Sequence, residues 1–423
     1  MHCELQPAGG LAAAEVAAAL RALVPGGQSV RERVADIVAA VRAGGDEAVL
    51  AYTQRFDTAG APPRPLRVEA AELSEAERRL DPGVRAGLEL AIANVRRVAQ
   101  AGLHEERTVA FGDGHEVVLR EAAVERAAVY VPGGRAPYPS TVVMGVVTAA
   151  AAGVGEIAVC SPPGPDGEID ATVLGACALA GAHTVYRMGG AQAIAALAFG
   201  TASVRAVDVI VGPGNLFVQE AKQQVFGQVG IDGFAGPSDL VVIVTGEVDP
   251  EPVAQDLLAQ AEHGEATIVV ALSPDRELLE RIGQRLAAAP DTGAVARLVA
   301  VDSPEQALAI AQAFAPEHLE LIGAQAEALA PGATHAGCVF VGLAAATAFG
   351  DYVAGSNHIL PTGGAARFAS ALTAGHFRRR FTEVRVGGAA HRLAEAGAAI
   401  ARAEGFEWHA RSMEARIREN GGR

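Results

Sequence analysis

The sequence predicts an α/β protein built on parallel sheets, with helices covering both faces of each. Three observations lead there. From about residue 127, short runs rich in β-branched residues alternate with stretches of helical period, the pattern of strands joined by crossover helices. Those runs are apolar throughout, as strands buried on both faces are. The chain has 423 residues, half of them hydrophobic, so it can fill a large core without disulfide or metal staples.

Taken in order, residues 1–23 read as an alanine-rich helical arm ending near Pro25-Gly26-Gly27. Residues 28–104 read as several amphipathic helices, for example 31–42 and 72–80. Eight strand-like runs follow, at 128–131, 156–160, 184–188, 207–211, 240–245, 267–272, 298–301 and 339–341. They divide into two α/β units near Gly236-Pro237. The last stretch, 391–423, is helical and strongly charged; alone it buries little, so it is expected to pack on another surface, such as a partner subunit.

Composition narrows the function classes. A net charge of −15, with no cluster of Lys or Arg among aromatics, argues against nucleic acid or an anionic membrane as partner. Lys222 is the sole lysine and no GxxxxGK[ST] loop exists, so a nucleotide triphosphate cradle of that kind is excluded. Cys3, Cys160, Cys177 and Cys338 form no CxxC pair, which fits reduced thiols in a cytoplasm. The N-terminus lacks the pattern of a signal peptide, and the longest apolar run, 141–155, is too short to cross a bilayer. A soluble, cytoplasmic protein is expected.

Chemistry concentrates in four places. Asp249, Pro250, Glu251 and Pro252 open a helix that Gly264 closes. Near its end Gln260 and His263 stand at i and i+3, so they share a face and can grip one cation at the negative end of the helix dipole. Alone, such a pair also suits an exposed helix face. Downstream of strand 339–341, a Gly-rich polar loop carries Asp351 and His358; loops after parallel strands are where α/β proteins place their sites. Pro316 ends the helix 303–314 and leaves Glu317 and His318 on a turn, an adjacent acid and imidazole able to divide proton transfer. Glu404 and His409 lie in the tail, five apart, a spacing that an exposed helix also explains.

Together these pieces resemble the histidinol dehydrogenase family, from about residue 131 to 413. The resemblance rests on eight collinear motifs: YVPGGRAPYPS (130–140), GGAQAIAALAFGT (189–201), VGPGNLFVQEAKQQV (211–225), AGPSDLVVI (235–243), DLLAQAEHG (256–264), APEHLEL (315–321), GDYVAGSNHILPTGG (350–364) and AEGFEWHARS (403–412). It implies two incomplete Rossmann-like α/β/α domains: a zinc and catalytic domain from 24–128 and 238–374, and an NAD-binding domain at 129–237. The helical arm 1–23 and the helical tail 375–423 would flank them.

The same resemblance implies a zinc site of Gln260, His263 and Asp351, completed by His409 from the partner of a homodimer. Imidazole, amide and carboxylate donors without thiolate suit an ion that accepts substrate. Ser238, His358 and Glu404 would contact L-histidinol alongside those ligands and His318. Glu317 and His318 match the family's catalytic pair, His318 as the base and Glu317 as the activator of water. No GxGxxG follows any strand; Tyr130, Gln192 and Asn215 would instead hold NAD. The implied activity is two successive NAD-linked oxidations, histidinol to histidinal to histidine.

Several positions depart from the family pattern. Ala345-Ala346-Thr347-Ala348 stands where a Ser-Pro-x-Ser element is usual, Gly145 and Thr148 replace Asn and Pro, Asp239 replaces Glu, and 376–386 is Arg-rich through Arg378, Arg379 and Arg380. These motivate an alternative, a relative of the same fold oxidising another small alcohol. A zinc hydrolase using Glu317, and a purely structural metal between subunits, are the readings from other classes; the hydrolase leaves Tyr130, Gln192 and Asn215 unexplained.

Overall fold

A computed structural model describes residues 1–24, 30–134, 136–233, 236, 238–265 and 267–417. The Pro25-Gly26-Gly27 break, Pro237 of the expected split and residues 418–423 of the tail lie outside them. In chain order the strands are β1 (Cys3–Pro7), β2 (Arg107–Ala110), β3 (Glu116–Ala123), β4 (Arg126–Tyr130), β5 (Glu156–Ser161), β6 (Thr184–Arg187), β7 (Val209–Val211), β8 (Gly230–Ile231), β9 (Asp239–Val244), β10 (Ile268–Ser273), β11 (Val295–Ala300), β12 (His318–Ile322), β13 (Cys338–Val341) and β14 (Arg378–Arg385). The chain forms a large unit, Met1–Gly102 with Val124–Phe377, and a small one, Leu103–Ala123 with Arg378–Arg423.

The large unit contains two parallel sheets, so the expected fold class holds. One has the order β1-β11-β10-β9-β12-β13, the other β6-β5-β4-β7-β8. In the first, β9, β10 and β12 are buried along their whole length, which is why they read as unbroken apolar runs. Side chains of β4 alternate between two cores. Ala127 and Val129 join one with Leu73, Leu88, Ile92 and Val95; Ala128 and Tyr130 join the other with Val34, Ile37 and Val41.

That packing corrects one expected boundary. The helices Arg31–Phe56, Ala70–Arg78 and Pro82–Ala101 share their cores with the five-stranded sheet, and the last also meets 238–374, where Asn94 Nδ2 donates to the Val353 carbonyl at 2.8 Å. Their apolar stripes carry no address, and only the assembled core shows which sheet they face. Helix ends, by contrast, are written locally. Asp81, Asp170, Asn215, Asp249, Asp275 and Ser303 each cap the helix that follows by accepting backbone N–H bonds.

Three further expectations need correction. The arm 1–23 is not wholly helical: β1 pairs with β11 in parallel, Cys3 opposite Ala296, before the helix Ala13–Arg21. As a half-exposed edge strand, CELQP lacks the apolar run that marks an interior one. Within the stretch 24–128, β2 and β3 belong to the small unit. There β14 pairs antiparallel with β3 over its full length, so the tail from 375 begins with a strand. The Arg-rich departure serves this sheet, because Arg378 and Arg380 both pair with Glu121, at 3.1 and 2.5 Å. The helices Ala390–Ala403 and Glu407–Glu414 then follow, as the sequence predicts, around a small core of Ala398, Ala401 and Ala410.

Candidate active site

Ser238 precedes β9, Glu317 precedes β12 and His318 opens it, in register with Leu240. The helix Pro250–Ala261 brings Gln260 and then His263 back to the same edge, before β10 begins. Asp351 lies near the end of the short helix Thr347–Tyr352, which returns from β13. These groups therefore gather at the amino edge of the six-stranded sheet. This corrects the argument that placed the site after the strands: the Asp351 helix carries its carboxylate back to the opposite end.

Hydrogen bonds link Gln260, Ser238 and Glu317, and ion-pair contacts extend the row to His318 and Asp351. Gln260 Nε2 donates to Ser238 Oγ at 2.5 Å, and Ser238 Oγ donates to Glu317 Oε2 at 2.6 Å. Glu317 Oε2 also accepts the Asp239 N–H at 3.1 Å and lies 3.8 Å from His318 Nδ1. His318 Nε2 stands 3.5 Å from Asp351 Oδ1. Gln260, Glu317 and His318 are 2, 8 and 3% exposed, so this is an interior polar network. His318 Nδ1 is buried and has no hydrogen-bond partner. His358 is engaged at both ring nitrogens, Nδ1 with the Asp351 carbonyl at 2.9 Å and Nε2 with Thr141 Oγ1 at 3.2 Å.

Burial and charge set the protonation states. Burial pushes the Glu317 carboxyl up, against the pull of His318. For His318 burial works toward the neutral ring, but the charges of Glu317 and Asp351 outweigh it and raise its proton affinity. Burial also opposes ionisation of Asp351, yet the His318 hydrogen bond and charge, with His358 and His263 nearby, hold it below the usual carboxylate range. Burial lowers His263 and so favours the neutral imidazole, the form that a metal takes.

An ionised carboxylate, a neutral imidazole and an amide make a donor set that fits a Zn²⁺ ion. Among the described residues no three His, Cys, Asp or Glu side chains stand together as a metal site; Gln260, His263 and Asp351 include only two of those types. The remaining expected residues, Glu404 and His409, belong to the small unit. Glu404 caps the helix Ala390–Ala403 and His409 lies in the helix Glu407–Glu414, its ring 5.3 Å from that of Phe406; both are exposed.

The other sheet carries a cavity of about 960 Å³ lined by Tyr130, Gln192 and Asn215. Here the positions obey the usual rule for parallel sheets, since Tyr130 ends β4, Gln192 follows β6 and Asn215 follows β7. Tyr130 Oη accepts the Gly190 N–H at 3.1 Å, and Asn215 caps its helix through Oδ1. The helix N-termini at Gly190 and Asn215 thus open on the cavity, a setting that suits a pyrophosphate.

Four contributors escaped the sequence reading. Arg21, from the arm, donates to Asp239 Oδ2 at 2.5 Å and to the Phe314 carbonyl at 2.7 Å. Asp239 in turn accepts the Glu317 N–H at 2.6 Å. Glu320 Oε1 accepts the Thr347 N–H at 3.0 Å, capping the helix of Asp351 where Ala346 cannot. Thr141 orients His358. The departures at 145 and 148 have structural roles: a Cβ on Gly145 would lie 2.4 Å from Val129 Cγ1, and Thr148 Oγ1 accepts from Asn357 Nδ2 at 3.2 Å. Asp239 and Glu320 lie inside two of the motifs and Thr141 directly follows a third, whereas nothing around Arg21 in the sequence marks it.

Residues 25–417 match the family model described as histidinol dehydrogenase. A histidinol dehydrogenase of Parasynechococcus marenigrum is 43% identical over 405 residues, covering 92% of each chain. That of Pseudomonas syringae is 42% identical over 402 residues, 92% of this chain and 90% of its own. The crystal structure of histidinol dehydrogenase from Elizabethkingia anophelis superposes with a TM-score of 0.91 at 30% identity, over 98% of both chains. With its fold, its motifs and its relatives in agreement over nearly the full length, the chain belongs to the histidinol dehydrogenase family.

Proposed function

We propose that this protein is a zinc-dependent histidinol dehydrogenase, oxidising L-histidinol through histidinal to L-histidine with NAD, the last step of histidine biosynthesis, in the cytoplasm. The observation that carries this reading is His318, a buried imidazole with carboxylates near both ring nitrogens, at 3.5 and 3.8 Å. Such a group can take a proton and be stabilised once charged.

His318 accepts the hydroxyl proton of the alcohol, and the Glu317 and Asp351 carboxylates hold the resulting imidazolium. The ionised form of Glu317, its Oε2 oriented by Ser238, then takes a proton from the water as the water oxygen adds to the aldehyde carbon. His318, once its first proton has passed to solvent, serves again as base in the second oxidation. Gln260, His263 and Asp351 would hold zinc, with His409 of a partner subunit as fourth ligand; zinc supplies an anchor for the amine and imidazole of the substrate. Tyr130, Gln192 and Asn215 would hold NAD, which accepts the hydride of each oxidation. The segment 129–237 is then the cofactor domain, and Ser238, His358 and Glu404 are substrate contacts. The tail supports the homodimer, since it carries Glu404 and His409 and, among the described residues, its two helices share a small core of Ala398, Ala401 and Ala410.

Pure protein supplied with zinc, histidinol and NAD is expected to yield about two NADH per histidinol consumed. No NADH above background would reject the proposal. A faster reaction with an alcohol lacking the imidazole would favour the alternative substrate class instead.

A further inference from the structure

We propose that Asp57 accepts the vicinal diol of the adenosine ribose in the cavity beside the five-stranded sheet and rejects a 2′-phosphate there, which makes the site selective for NAD over NADP. The inference rests on the reading of that cavity as the NAD site.

Four acids line the cavity: Asp57, Asp166, Glu168 and Asp170. Three already have work. Asp170 Oδ1 accepts the Thr172 N–H at 2.7 Å as a helix cap, and Asp166 Oδ1 accepts the Glu168 N–H at 3.0 Å in a turn. Glu168 is gripped by Arg187 at 3.1 Å and by Arg64. Asp57 differs. Its carboxylate meets only the Gln192 amide, Nε2 to Oδ2 at 3.4 Å, a long bond that leaves acceptor capacity unused. None of the described residues lining the cavity is a Lys, Arg or His that could neutralise it or receive an additional phosphate.

A carboxylate with spare lone pairs in a partly dry cavity seeks hydroxyl donors, and two adjacent ribose hydroxyls match its two oxygens. Dinucleotide sites with a Gly-rich fingerprint use an acid in the same role. Here the fingerprint is missing, so the acid comes from the end of the helix Arg31–Phe56 instead. The adenosine ribose, rather than the nicotinamide ribose, is the fitting occupant because Phe56 and Phe217 line the same cavity. Phe56 is half exposed; Tyr52 stacks on its ring and the Arg55 guanidinium lies 5.2 Å from its centroid, so a purine meets the rim of this aromatic pair. Burial also pushes the Asp57 carboxyl up to about 7, the mark of a group lacking a cationic partner. A 2′-phosphate, with close to two negative charges, would face that carboxylate directly.

The test measures binding of ADP-ribose and of 2′-phospho-ADP-ribose to the full-length protein by calorimetry, a readout independent of zinc and of turnover. Wild type is expected to prefer ADP-ribose by on the order of 100-fold. Asp57→Ser should cut that ratio at least tenfold, with the isosteric Asp57→Asn between them; thermal melts confirm that both variants fold. In turnover, Asp57→Ser should raise KM for NAD while leaving KM for histidinol unchanged. If wild type binds ADP-ribose but the ratio is the same in the variants, the role of Asp57 is overturned and the cavity reading survives. If wild type binds neither probe, the cavity reading itself fails.

Discussion

Glu317 and Asp239 exchange hydrogen bonds: the Glu317 N–H donates to Asp239 Oδ1 at 2.6 Å, and the Asp239 N–H donates to Glu317 Oε2 at 3.1 Å. Asp239 starts β9 and Glu317 directly precedes the neighbouring β12, so the exchange ties the catalytic carboxyl to the sheet edge. Asp239 is fully buried and its other oxygen depends on Arg21. Arg21→Ala should therefore cost about 3 kcal/mol of stability, because it leaves a buried carboxylate without its cation. Urea denaturation measures this, and turnover should fall while zinc content stays constant. A loss within experimental error of zero would remove Arg21 from the site.

Gly212 lies between the two halves of the proposed cofactor grip. Its φ is +119°, and a Cβ there would stand 2.1 Å from the Tyr130 carbonyl oxygen. Gly212→Ala should destabilise by about 3 kcal/mol and weaken NAD binding by shifting Tyr130. Gly246 is the control, with φ +76° but open space around it. Gly246→Ala should cost only about 1 kcal/mol, with NAD affinity unaltered. Equal losses in the two melts would show that backbone strain, not the approach to Tyr130, matters.

Stability should respond to two buried carboxyls beside the site. Burial raises Glu320 from 4.5 to about 8, and Asp256 from 3.8 to about 6. Between the unfolded and folded values the native chain binds more protons than the unfolded one, so stability is greatest in acid and declines as pH rises through that window. Glu320→Gln retains an oxygen for the Thr347 N–H and no longer ionises. Melting temperatures from about pH 4.5 to 8 should thus fall more steeply for wild type than for Glu320→Gln. Parallel slopes would contradict the assignment.

The proposed roles of the two buried imidazoles separate in a metal assay. His263→Ala should lose zinc and turnover together, whereas His318→Ala should keep zinc and lose turnover. Matching zinc losses in both variants would contradict the division between ligand and base.

Removing residues 391–423 takes away Glu404 and His409. The truncated protein should lose activity and bind zinc more weakly, while the large unit, with its own cores, still melts cooperatively. An active truncated protein would exclude the tail from the site.

How much of this was legible beforehand depends on the range of the interaction concerned. The caps Asp249 and Ser303 lie within three residues of the N–H groups they satisfy, and the helices they open were readable. Interior strands such as β9 and β10 declare themselves because both faces are buried. Gln260 and His263, and Glu317 with His318, were also visible as pairs, since their spacing alone puts them side by side.

Sequence by itself thus determined the α/β class, the order of the buried strands, the local pairs of reactive side chains and the family. Tertiary structure decided the rest: β1 on the edge of the six-stranded sheet, the antiparallel sheet of β2, β3 and β14, the amino-edge position of the site, and the supports from Arg21, Asp239 and Glu320. Arg21 and Asp239 are 218 residues apart, and Arg378 meets Glu121 across 257. Such bonds join groups whose neighbours in the chain reveal nothing of the partner, so only the folded core, by bringing the segments together and excluding water, selects them.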